Sequence, residues 1–500
     1  MTWLVNLSVL TGALPVAMAA LGELAWLSLL VRLDRHWWYR QVMASALGTV
    51  LVTSLVFGVL KWWQPFPDPL PAHVWAWIGI GLFAVCLGVA RTTWRRPEPR
   101  RRGLLSVVRR WTGHRPAEER PAAGYPGTGY RTTMARRIRT VTRTVLAVIC
   151  VVLLAALKIN SYYGYRPTLG SALGYSGVQQ TDFAQIAPAR PTLAPAGPRL
   201  ALDRNWVPPA GLPKTGQISQ VRIPGVRSRF PARPAWLYVP PAYTANPRPL
   251  LPVLVLIAGQ PGGPEDWFIA GRLASVLDEF ASTHSGLAPI VLVPDATGSA
   301  LGNSLCLDSR LGNSETYLTH DVPDWIRAHL QVDPDTSRWT VGGFSFGGTC
   351  ALQLAVRAPH LFPTFLDISG QVEPTLGDRA RTVRMAFGGN ERQFDSVDPL
   401  IELSHTRLPT TEALIAFGAD DREYGPQADQ VAEATRSAGM TVVLAPVPGG
   451  HSWTVAITAL RELLPRVSQR AGLIGPAELP VRHPTPTPRG FRPLAVAGDH

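Results

Sequence analysis

Cysteine is scarce in this chain: Cys86, Cys150, Cys306 and Cys350 are the four among 500 residues. None belongs to a C-x-x-C pair or a Cys/His cluster, which argues against zinc. No lysine or arginine precedes the first apolar run. A cleaved signal peptide needs that basic start, so Ala17-Met18-Ala19 reads as an accidental match to a cleavage site. Positive charge is also missing from most of the chain, although the net charge is +13. Between Arg91 and Arg139, 14 arginines against three glutamates leave +11 in one segment. The remainder is nearly neutral. Within that segment the aromatics are few, Trp94, Trp111 and two tyrosines. A nucleic-acid surface needs a basic face interleaved with stacking rings, and none is expected here.

What the chain has is long apolar runs. Four fill the first 160 residues: Trp3–Val31, Val42–Leu60, Val74–Ala90 and Val141–Leu157. Each approaches the ~20 residues that cross a hydrocarbon core. Trp3, Trp37, Trp38, Trp62, Trp63 and Trp75 cluster near the run ends, as interfacial tryptophans do. Arg32, Arg35 and Arg40 follow the first run, no basic residue lies in "QPFPDPLPAH" after the second, and the arginine block follows the third. Basic loops stay in the cytoplasm. The expected topology therefore has four spans, with residues 1–159 as the membrane region, loop 91–139 inside, and both the N-terminus and everything after the fourth span outside. Glu23, inside the first run, is expected in a helix–helix interface. Residues 160–214, rich in Pro, Ala and Gly, read as an extended tether, and residues 471–500 as a disordered tail.

Between 215 and 470 the pattern changes. "AWLYVPPAY", "LPVLVLIAG", "APIVLVPDA", "RWTVGGFS", "FPTFLDISG", "TEALIAFGAD" and "MTVVLAPVPGG" are apolar runs of strand length. They do not alternate, as expected of strands buried on both faces of a parallel sheet. Helix-like stretches at Trp267–Ala281, Thr319–His329, Thr349–Ala358, Gln427–Ala438 and Trp453–Leu464 separate most of them. The expected fold class is α/β, with functional residues at the carboxyl ends of strands.

Ser345 stands in "GGFSFGG", after a strand and before a helix. That is where a nucleophile elbow places its serine: on a strained turn, between small residues, with the next N–H, that of Phe346, aimed at a developing oxyanion. A serine hydroxyl needs a base. His451, after "TVVLAPV" and Pro448-Gly449-Gly450, is the downstream histidine at a strand's carboxyl end. The acid is expected at Asp420 or Asp421, which end "LIAFGADD", with Asp367 a weaker choice one strand earlier. The residues themselves do not separate 420 from 421. The backbone N–H of Gln260, in "AGQPGG", is the second oxyanion donor expected from the earlier strand's loop. Cys306 and Cys350 both fall on the oxidising side of the expected topology, Cys350 just behind the serine, and a disulfide between them is expected.

"LIAGQPGGPEDW", "VPDATG", "NSETYLTHDVPDWIRAHL", "GGFSFGG", "FGADDREYG" and "VPGGHSW" together resemble the putative esterase family, which includes esterase D and the mycolyltransferases. The resemblance covers Gln217–Leu464. It implies an α/β-hydrolase fold with Ser345 as nucleophile, His451 as base, and Gln260 and Phe346 at the oxyanion positions. It also selects Asp421 as the acid, by the G-x-x-D pattern counted from Gly418. Two departures stand out: Ala258-Gly259 replaces a common His-Gly, and the acid is aspartate where mycolyltransferases commonly carry glutamate. The implied activity is hydrolysis of a carboxylic ester, with an envelope lipid or glycolipid, aminoacyl-lipid esters included, as substrate and no metal or organic cofactor. Acyl transfer to an envelope sugar or lipid, and a non-enzymatic envelope-organising role, are the other expectations.

Overall fold

The computed structural model describes residues 2–31, 35–64, 68–93, 128–195, 197 and 200–475. Most of the basic loop, and the tail beyond 475, lie outside the described residues.

Four long helices come first: α1 (Ala13–Leu30), α2 (Arg35–Trp63), α3 (Ala72–Thr93) and α4 (Thr128–Tyr163). All four are long and apolar enough to cross a membrane. Leu24, Leu47, Leu55 and Leu146 point outward and are mostly exposed. Inside, Leu29, Ala84, Leu87, Ala147 and Val151 pack together. Small residues bring the backbones close, as in membrane helix pairs. A Cβ on Gly22 would lie 2.6 Å from the Leu154 Cβ, and one on Gly88 2.6 Å from the Val148 Cγ2. Glu23 departs from expectation: it lies on the exposed face. Gly22 takes the packing position, and the next residue is turned ~100° away.

The first apolar run is also not one helix. Residues Thr2–Val5 form a separate turn of helix, Ser8 Oγ accepts the Leu10 and Thr11 N–H groups, and α1 begins after Gly12, whose φ is 91°. Residues 7–9 are stitched to residues just beyond α4. Val9 N donates to Pro167 O at 3.0 Å, and Leu169 N to Leu7 O at 2.8 Å.

The second half is built on eight strands: β1 (Gln217–Val221), β2 (Ala235–Val239), β3 (Val253–Ile257), β4 (Ile290–Val293), β5 (Thr340–Phe344), β6 (Thr364–Ile368), β7 (Glu412–Gly418) and β8 (Thr441–Val447). Their order across the sheet is β1-β2-β4-β3-β5-β6-β7-β8, and β2 alone runs antiparallel to the rest. This is the α/β-hydrolase arrangement. The central strands are buried on both faces, which is why "VLVLI" and "IVLV" read as continuous apolar runs. β8 is an edge strand and carries Pro446, which an interior strand would exclude.

Helices α5 (Leu273–Thr283), α6 (Val322–His329), α7 (Phe346–Arg357), α8 (Arg379–Phe387), α9 (Pro399–His405), α10 (Tyr424–Ser437) and α11 (Trp453–Arg470) accompany the sheet. The helix expected from Trp267 to Ala281 is broken. It stops at Ile269 and restarts at Leu273, because Arg272 adopts φ 47°.

Residues 160–214 are not a free tether. Tyr165 hydrogen-bonds Asp266, Thr181 N donates to Ile218 O on β1, Thr192 and Leu193 pair with Arg248 and Pro249, and Leu202 N reaches Gly472 O. Proline and glycine prevent regular structure but leave most backbone N–H groups available to neighbours, so the segment lies along the domain as a strap. The packed domain also extends past 470: Leu473 is fully buried and Gly475 N donates to Asp203.

Candidate active site

Ser345 sits between β5 and α7 with φ 58° and ψ −122°, backbone angles that few residues with a side chain adopt. Gly343 and Gly347 permit the turn. A Cβ on Gly343 would strike the Gly347 backbone, and one on Gly347 would strike the carbonyl of Ile257. The turn is fixed further by Ser345 N, which donates to Ile368 O at 2.8 Å. At the first turn of α7, the Phe346 N–H has no carbonyl four residues behind it within the helix.

His451 follows β8 through the turn Pro448-Gly449-Gly450, and its Nε2 lies 3.0 Å from Ser345 Oγ. Its Nδ1 faces Asp421 Oδ2 at 3.3 Å, close enough for an ion pair but off the ideal hydrogen-bond direction. The ring is held between Tyr424 and Phe344, with centroids at 4.0 and 4.9 Å. A flat ring clamped on both faces can act only through its two edge nitrogens.

Asp421 is the carboxylate at His451, and Asp420 is exposed. Asp421 N donates to Gly418 O, and its Oδ1 accepts the Glu423 and Tyr424 N–H groups at 3.1 Å each. Burial opposes ionisation of Asp421. The His451 ring and those two N–H groups outweigh it and hold the carboxyl below its usual range. Asp367 sits one strand earlier and caps its own turn, accepting Gly370 N at 2.8 Å. Complete burial pushes its carboxyl up to about 7.

The loop after β3 carries Gln260 and flanks the serine. A Cβ on Gly259 would lie 3.5 Å from the Ser345 Cβ. Gln260 is buried, with Nε2 donating to Leu301 O at 3.3 Å. Two residues that sequence reading missed pin this loop from outside. Arg233 grips Asp295 through Nε and Nη2 at 3.0 and 2.8 Å, and also donates to Gly262 O at 2.9 Å. At the loop's far end, buried Asp266 accepts Gly263 N at 2.8 Å and the Tyr165 phenol. Burial raises its carboxyl to about 6. Both aspartates stand in the quoted motifs "GGPEDW" and "VPDATG", but their partners lie elsewhere in the chain.

Cys306 and Cys350 are joined as a disulfide, Cα atoms 5.5 Å apart, fastening the loop 301–307 onto the helix behind Ser345. Cys86 and Cys150 are free thiols in α3 and α4. Among the described residues no group of three or more His, Cys, Asp or Glu side chains could hold a metal ion.

The constellation can be set beside known proteins. The family described as "Putative esterase" matches residues 232–467. An uncharacterized protein of Corynebacterium glutamicum is 34% identical over 445 residues, 87% of this chain and 90% of that protein. The diacylglycerol acyltransferase/mycolyltransferase Ag85C of Mycobacterium leprae is 31% identical over 129 residues, 23% of this chain and 37% of that protein. Among solved structures, a ferulic acid esterase superposes with a TM-score of 0.45 at 19% identity, over 51% of this chain and 99% of that one.

Proposed function

The chain belongs to the putative esterase family of carboxylic-ester hydrolases with an α/β fold, and from that premise we propose that it works through Ser345, His451 and Asp421. The observation that carries this reading is the 3.0 Å contact between His451 Nε2 and Ser345 Oγ, with Asp421 on the other ring nitrogen.

Ser345 Oγ attacks the ester carbonyl while Nε2 takes its proton. Asp421 keeps the Nδ1 proton in place and stabilises the imidazolium. The backbone N–H groups of Phe346 and Gln260 receive the oxyanion. Collapse of the tetrahedral species expels the alcohol, protonated by His451, and leaves an acyl group on Ser345. Water, deprotonated by the same histidine, then releases the acid. Exchanging Ser345 for alanine removes the attacking atom alone. Ser345→Ala should lower turnover of a short p-nitrophenyl ester by ~10³-fold or more with thermal stability unchanged. Retained turnover overturns the assignment.

The substrate class we assign is an ester of an envelope lipid, aminoacyl esters on membrane lipids being one instance, hydrolysed on the outer face of the membrane. Two observations support it. The four helices have membrane-spanning length and composition. The side chains that close around the site include Asp68 and Tyr165, both just outside a helix of the membrane region. The arginine distribution supports the outward orientation. Acyl transfer is the second reading, favoured by the segment shared with Ag85C. It differs only in the acceptor, an alcohol in place of water. Product analysis with and without a glycolipid acceptor separates the two.

A further inference from the structure

One side chain at the site comes from the membrane region. Asp68 lies in the connection between α2 and α3, half-buried against the α/β domain. Its Oδ2 accepts the phenol O–H of Tyr424, and its Oδ1 accepts Gln371 Nε2 at 3.2 Å. Tyr424 is the residue whose ring stacks on His451. The Ser345 side chain hydrogen-bonds its phenol oxygen as well. The connection is anchored independently, because Arg381 on α8 donates to the Trp63 carbonyl at 3.0 Å and to Gln64 Oε1.

A phenol has one proton to donate. While that proton points at Asp68, the Tyr424 oxygen offers Ser345 only lone pairs. The Ser345 hydroxyl then meets two acceptors, and its own oxygen keeps its lone pairs for the ester carbonyl. Without Asp68, the phenol proton turns to the nearest acceptor, which is Ser345 Oγ, and ties up the lone pair that must attack. We propose that Asp68 is a positioning residue of this active site: delivered by the connection between the second and third membrane helices, it holds the Tyr424 proton away from the nucleophile. The proposal rests on Ser345 and His451 being nucleophile and base. It makes the membrane region part of the catalytic unit, which an anchor alone would not be.

The test uses the full-length protein in detergent micelles or nanodiscs. The readouts are kcat and KM for p-nitrophenyl butyrate, and the rate at which a fluorophosphonate labels Ser345. Losing one hydrogen bond to a charged group should lower kcat about tenfold in Asp68→Ala, with KM nearly unchanged and labelling slowed in step. Asp68→Asn, which keeps a carbonyl for the phenol, should recover most of the loss. In a Tyr424→Phe protein there is no proton to hold, so adding Asp68→Ala should cost nothing more.

If Asp68→Ala leaves kcat and labelling unchanged, the proposal fails. It also fails if the loss persists at full size in the Tyr424→Phe background, because Asp68 would then only dock the connection. A parent protein that takes no label overturns the nucleophile reading itself. A labelled parent with an indifferent Asp68 overturns this inference alone.

Discussion

The two halves of the chain point their apolar side chains in opposite directions. Leu254, in β3, is fully buried, whereas Leu55, in α2, is 67% exposed. In the α/β half, folding removes such side chains from water, and each contributes roughly 1.5–3 kcal/mol. In the helical half the outward leucines gain nothing from one another, and association depends on how closely two backbones approach. The same substitution should therefore have different consequences on the two sides, and the difference can be measured.

The sharpest contrast is within the site. Asp421→Asn leaves a side chain of the same shape but removes the charge that steadies the histidine. It should lower kcat by ~10²–10⁴-fold, while Asp420→Asn, one residue away and exposed, should stay within twofold of the parent. Equal losses at both positions would break the assignment of the acid. Cysteine gives the next contrast. Cys350→Ser opens a cross-link between residues 44 apart in sequence, and should destabilise the α/β half by ~2–5 kcal/mol. Cys86→Ser and Cys150→Ser, at free thiols in the helices, should shift the melting temperature far less. Reducing agent should reproduce the first effect and not the second.

Glycine reverses the emphasis. Gly88→Leu drives a side chain into Val148, whereas a Cβ at Gly58 meets nothing within 4 Å. The first should lower the melting temperature of the detergent-solubilised protein by several degrees, and the second should not. The smallest effect concerns Asp367. Its carboxyl titrates near 7 in the folded chain, against an ordinary 3.8. The folded state thus holds a proton that the unfolded state has released, and stability falls as pH rises from about 4 to 7. Asp367→Asn should melt with the parent at pH 4 and a few degrees above it at pH 8. Identical melting at both pH values would show that the buried carboxyl is already relieved.

Seven of the eight strands were legible because both of their faces are buried and their sequences carry no polar interruptions. β1, "QISQV", was not. It is an edge strand with one covered face, and its polar residues resemble a loop. Helices α8 and α9 escaped for a related reason: "RARTVRMAF" and "PLIELSH" bury only a few positions each. Ser345 and His451 were legible from place alone, at strand ends beside glycines. Asp421 was not separable from Asp420 without the family pattern, because the choice rests on a turn: the bond from Asp421 N to Gly418 O sets which carboxylate faces inward. Tyr424 and Asp68 were invisible. Asp68 stands in a connection read only for its lack of arginine, and nothing local announces a partner hundreds of residues downstream.

The strap of residues 160–214 has a consequence for how the enzyme meets its substrate. A catalytic domain on a loose string sweeps a volume, and its reach grows with the string. Here the string is fastened near its start at Asp266, along the sheet edge at Ile218, and at its far end beside Gly472. The serine is thereby kept at one height above the four helices. An ester carried at a different depth meets no nucleophile, so the strap acts as a gauge that sorts substrates by elevation before chemistry begins.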